Sequence, residues 1–190
     1  MRDRGGHPPP RTRTSHRTTL ERHHLNDVVL IAHVVAAILL LGPVTVAISM
    51  FPRLALAARD GEAGTVGAAR TMHAITRTYG LFSLAVPLLG VGVMFTDLGY
   101  YMKAGALHAS ILLAIIAWAL LYFVITPKQA VMMAGLGVAG EDELADDPDF
   151  RKRADKAANL DWKKAKGQLA MFSGIFSALW LITAVLMFFI

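Results

Sequence analysis

Four stretches of the chain, 28–51, 78–96, 104–126 and 168–190, contain no Asp, Glu, Lys or Arg at all. A helix rises about 1.5 Å per residue, so runs of 19 to 24 residues match a hydrocarbon core roughly 30 Å thick. Lipid offers no hydrogen bonds, so a chain that threads it repeatedly must satisfy its backbone internally, and uninterrupted apolar runs do this as helices. The predicted fold is all-α: an integral membrane four-helix bundle. With 55% hydrophobic residues and a mean hydropathy of +0.48 over 190 residues, the chain is too apolar for an ordinary soluble domain. There are no cysteines. That excludes disulfides, thiolate metal sites, covalent haem attachment and Cys nucleophiles, and leaves non-covalent cofactors open. The net charge of +5 comes from a tail and from segments beside the spans. This places acidic lipid headgroups, rather than nucleic acid, against the basic residues.

Residues 1–27 hold six arginines, four histidines and a Pro triplet, too polar to offset ordering entropy, and predict a disordered basic tail. In it His7, His16, His23 and His24 read as solvated rather than metal-binding. The first apolar run, at 24 residues, greatly exceeds the roughly 7 to 15 of a signal-peptide core. Gly42-Pro43 predicts a kink in the first span, which is expected to end at Pro52-Arg53. The connection 53–77 follows, its second part helical in composition and continuing into span two. Pro87 predicts a kink there, with Arg77 and Tyr100-Tyr101 as interfacial anchors. The link Asp97–Lys103 has room only for a turn, which makes spans two and three antiparallel neighbours. Span three closes at Pro127-Lys128. In the long connection 129–167, Met132 and Met133 read as apolar packing. Asp147-Pro148 reads as a cap with Pro at the first helical position, opening an amphipathic helix over 148–167 that runs on into span four. Lys and Arg are concentrated in the first and third connections, which places these in the cytoplasm and both termini outside, in a plasma (inner) membrane.

Each of spans one and three carries a histidine near its start. His33 precedes Pro52-Arg53 by 19 residues and His108 precedes Pro127-Lys128 by the same 19, an offset of 75 between the two segments. Two repeated helical hairpins would produce this pattern. Spans one and three run in the same direction, so both imidazoles are expected about 6 to 8 Å below one boundary. A histidine inside a span needs a partner. Facing helices of a bundle can offer two imidazoles to one iron, so His33 and His108 are the candidate ligands of haem b, with Ala32, Ala36, Ala37, Ala109 and Ser110 leaving room for the macrocycle. The alternative is that each histidine is simply satisfied by a carbonyl, a Thr or an interfacial water. His73, before span two, reads as an interfacial residue.

The order of His33 with Phe51-Pro52-Arg53, then Met72 to Pro87, then Leu107-His108-Ala109-Ser110 resembles a group of small four-helix bacterial membrane proteins. Over residues 27–190 the chain is most similar to the predicted integral membrane proteins of domain of unknown function 2269. More distantly it resembles the HemJ-type protoporphyrinogen oxidases and the CopD-type copper-resistance proteins. The HemJ resemblance implies a haem-associated histidine at His33 and a third-helix His-x-Lys element, of which this chain keeps His108 but has Ser110 in place of the lysine. Three functions follow as expectations. The first is a non-enzymatic accessory or assembly subunit, whose partners are the lipid bilayer and a larger membrane complex or further copies of itself. The second is a haem-b protein using His33 and His108, and the third is a copper-handling membrane protein. No intramembrane carboxylate or lysine points to ion-coupled transport, and no Ser/His/Asp arrangement points to hydrolysis.

Overall fold

The computed structural model describes residues 14–95, 98–138 and 148–189, with side chains from Asp27 onward except that of Tyr101. All regular structure among these residues is helical. The elements are α1 (Thr14–Arg59), α2 (Thr65–Phe82), α3 (Ala85–Met94), α4 (Leu98–Tyr101), α5 (Gly105–Leu120) with a π-helical turn (Leu121–Ile125), α6 (Thr126–Gly135), α7 (Pro148–Ala158) and α8 (Trp162–Met187). Four units, Asp27–Arg59, Thr65–Met94, Gly105–Gly135 and Trp162–Met187, are long and apolar enough to cross a membrane, and they form the expected four-helix bundle. Helix α1 packs along α2 and α3 on one side and α8 on the other, while α5 packs on α8 and α3, and α2 meets the π turn and α6. Neighbours therefore follow chain order around the bundle, and spans one and three lie on a diagonal.

These units are 26 to 33 residues long, about 40 to 50 Å at 1.5 Å per residue, which exceeds a hydrocarbon core. The excess lies at the end carrying Arg53, Arg59, Arg70, Arg77, Lys128 and Lys163, the basic end, where helix replaces what the sequence predicts as connection. The first helix does not stop at Pro52-Arg53. It passes through Pro43 and Pro52 to Arg59, because the Pro52 ring is fully buried and the Leu- and Ala-rich stretch after it is strongly helix-forming, which offsets one lost backbone bond. Its C-terminus is a Schellman turn. Gly61 has φ 84°, its N–H donates to the Ala58 carbonyl at 3.2 Å, and the Glu62 N–H donates to the Ala57 carbonyl at 3.0 Å. At its other end α1 already begins at Thr14, inside the stretch predicted to be tail.

Span two does break as Pro87 requires. The ring crowds the carbonyl four residues back and supplies no N–H for it, and the interruption falls at Ser83–Leu84. The nearby Gly80 carbonyl accepts from Ser83 Oγ at 2.7 Å and from Trp118 Nε1 at 3.2 Å, which pins spans two and three together. In span three the wide π turn accommodates Pro127 without ending the helix, and Thr126 Oγ1 donates to the Leu121 carbonyl at 3.0 Å.

The helix predicted over 148–167 is not continuous with span four. Helix α7 ends at Ala158, and α8 restarts with Asp161 as its cap, the carboxylate accepting the Lys164 N–H at 3.0 Å. The turn folds α7 back onto α6. A Cβ at Gly135 would stand 2.8 Å from Ala157 Cβ and 2.9 Å from Trp162 Cζ2, so only glycine permits this approach. The cap predicted at Asp147, the acidic run before it, and part of the Asp97–Lys103 link lie outside the described residues.

The core gathers Ile48, Phe51, Ala55, Ala69, Leu121, Ile125, Met132, Met133, Trp162, Leu169 and Phe176, mostly towards the basic end. Outside the hydrocarbon, water drives such burial, at about 1.5–3 kcal/mol for each large side chain. Within it lipid competes with protein on equal terms, and helix association rests on close packing and hydrogen bonds. The far end is correspondingly open: Val28, Ile31, Ile38 and Leu39 are 62% to 67% exposed.

Candidate functional site

His33 projects from α1 towards span two. Its ring lies over Gly90, where a Cβ would come within 3.3 Å of Cε1, and the Val86 backbone is within polar reach of the ring. Among the described residues its buried Nδ1 has no hydrogen-bond partner. His108 faces the other way, to the outside of the bundle. Its Nδ1–H donates to the Ala104 carbonyl at 3.1 Å, one turn back on its own helix. That bond leaves Nε2 as the basic nitrogen, the tautomer a metal would need, but on the exterior. The structure therefore does not bring the two rings to a common interior site.

The expected equal depth of the two histidines does hold, since His108 lies ten residues from Trp118 as Gly90 does from Gly80, but the residue at that level that faces the interior of span three is Ser110. The Trp118–Gly80 bond sets the register of spans two and three. From there to Gly90 is ten residues and to Ser110 is eight, about 15 and 12 Å at 1.5 Å per residue. Ser110 thus lies within about one turn of the level of His33. It is fully buried, and its Oγ also lacks a partner among the described residues. Two residues separate it from His108, about 200° around a helix, which is why one faces lipid and the other the interior. A third unpartnered buried polar atom, Trp180 Nε1, belongs to span four.

A second polar group sits at the basic end. His73, expected at an interface, is buried. Its Nδ1 donates to Gln129 Oε1 at 3.1 Å, and its ring lies 6.1 Å from that of Phe51. Gln129 is fully buried, with Nε2 unpartnered among the described residues. The sequence carried a signal for this. Thr65, Ala69, His73, Thr76 and Gly80, the buried face of α2, are spaced by four, four, three and four, a helical stripe of small and polar residues. Met132 and Met133 are both core residues, and no cluster of three or more His, Cys, Asp or Glu able to hold a metal occurs among the described residues. The histidine-rich tail lies outside the described side chains.

The arrangement offers hydrogen bonds to neutral groups, an enclosed Nδ1 on His33 and an exterior Nε2 on His108. Compared with protein-family models, with curated proteins and with solved structures, the chain has no match.

Proposed function

We propose that this multi-pass protein is an accessory or assembly subunit of a membrane complex rather than an enzyme. The observation that carries this reading is the far half of span one, where small residues stand among the large exposed ones Val28, Ile31, Val34, Val35, Ile38 and Leu39 on more than one side of the helix. Lipid covers the large side chains at no cost, and it is the gaps between them that suit a further helix. Small residues between them, Ala32, Ala36 and Ala37, allow a further helix to approach closely. The distribution of Lys and Arg supports an orientation in the plasma (inner) membrane with the basic end in the cytoplasm and both termini outside. Purification from native membranes in mild detergent should recover a stoichiometric partner, and that partner should be lost when Ile31 and Ile38 are changed to Trp. A protein that elutes alone and monomeric would refute the reading.

A second reading, haem b held through His33, is supported by the unpartnered Nδ1 beside Gly90. The residues fit one axial ligand and not two, since His108 points outward. A reduced-minus-oxidised visible spectrum should then show a haem band that His33→Ala abolishes and His108→Ala preserves. No band after expression with ample haem would remove this reading.

A further inference from the structure

Helices α6, α7 and α8 enclose a groove of about 510 Å³ at the basic end, walled by Phe123, Val131, Leu160 and Leu169 and carrying Lys128 and Lys156. Its construction is specific. Gly135 lets Ala157 and Trp162 press against α6, and the turn after α7 sets Leu160 over the cleft. Its level in the membrane can be read from the chain: Lys128 follows directly on the end of one charge-free run, and Gln168 opens another. Lys128 Nζ donates to Gln168 Oε1 at 3.1 Å and lies 5.8 Å from the Phe172 ring centroid. Phe123, 67% exposed, marks the hydrocarbon side, and the exposed Lys156 marks the water side. Among the described residues neither lysine has a carboxylate partner; an ion pair on α7 joins Lys152 to Asp149.

Two ammonium groups with no carboxylate partner among the described residues, above an apolar wall at the boundary between hydrocarbon and water, complement an anion on a hydrocarbon stem. We propose that this groove binds one acidic phospholipid of the adjacent leaflet, with its phosphate between Lys128 and Lys156 and an acyl chain along Phe123, Val131 and Leu169. A zwitterionic lipid brings a positive charge of its own to the two lysines and is disfavoured. The proposal is independent of whether the protein serves a larger complex.

Native mass spectrometry of the full chain, titrated with phosphatidylglycerol, phosphatidylcholine or oleate, tests it. One phosphatidylglycerol per chain should be retained, about tenfold more tightly than phosphatidylcholine. Lys128→Gln and Lys156→Gln should each weaken it about fivefold, the effect of one lysine near an anionic surface. Lys164→Gln, on the exposed side of α8, should leave it unchanged. Because Lys128→Gln also removes a bond to Gln168, Leu160→Trp serves as a second probe: it fills the groove without changing charge and should abolish retention while helix content and monodisperse elution persist. Equal affinity for the two phospholipids, an equal loss with Lys164→Gln, or preferential retention of oleate would overturn the assignment.

Discussion

The hydrogen bond between His73 and Gln129 ties span two to span three where water is excluded but lipid does not reach. Gln129→Leu removes the acceptor of a buried imidazole N–H, a loss of about 1–3 kcal/mol. The double change His73→Phe with Gln129→Leu removes both polar groups and should recover most of that in thermal unfolding in detergent; a double variant no more stable than Gln129→Leu would contradict the pairing. Ser110 gives the opposite expectation. Its Oγ is buried and unpartnered, so Ser110→Ala should be neutral or stabilising by up to about 1 kcal/mol, and a clear destabilisation would mean that the hydroxyl is bonded. At this scale the sequence was legible for polarity and depth but not for direction. Counting residues gave the level of His33 and His108, because rise is nearly constant. Facing depends on about 100° of rotation per residue, and no run of hydropathy reports it, so Ser110 rather than His108 took the interior position. His73 was missed because Arg70 and Arg77 lower the local hydropathy and mask the buried stripe between them.

Among the elements, α7 is held least by its own composition and most by one glycine. Trp162, beginning α8, is gripped between the Gly135 backbone and the Arg59 guanidinium, 5.3 Å from its ring, so three helices meet at this side chain. Gly135→Ala places a methyl where Ala157 and Trp162 already stand, and the overpacking should cost about 1–3 kcal/mol. Hydrogen exchange across 148–160 should then quicken about ten- to hundredfold with 107–125 unchanged, whereas a uniform change along the chain would show that α7 is not a separately docked element. The four spans themselves were readable from charge-free length, and the break before Pro87 from the missing N–H. Pro52 was misread because a proline ends a helix only if nothing recovers its lost bond, and burial of its ring among core residues is a tertiary fact. The stop after Ala158 had a local sign in Asp161, a capping residue, which the continuing alternation of charge concealed.

As a whole molecule the bundle is closed at one end and open at the other. The basic end has a side-chain core, two glycine-terminated helix ends and a helix folded across it; the far end exposes large apolar groups along span one. The chemistry of the two surroundings explains the difference. Beyond the hydrocarbon only protein can cover apolar surface, while inside it lipid does so at no cost, and helices need not converge. The same topology makes a claim about sidedness that does not depend on which side is the cytoplasm. Because four spans alternate, the turn at 60–64 and the start of α8 must lie on one face and the link near Lys103 on the other. The chain has no cysteine, so Glu62→Cys, Lys163→Cys and Lys103→Cys each introduce a single thiol at an exposed position. A membrane-impermeant maleimide applied to sealed vesicles of one orientation should label either the first two or the third, and inverting the vesicles should exchange the pattern. Labelling of Glu62→Cys without Lys163→Cys would require an odd number of crossings between them and would refute the bundle topology. Protection of both in intact cells, with Lys103→Cys labelled, would in addition establish the orientation that the lysine and arginine distribution favours.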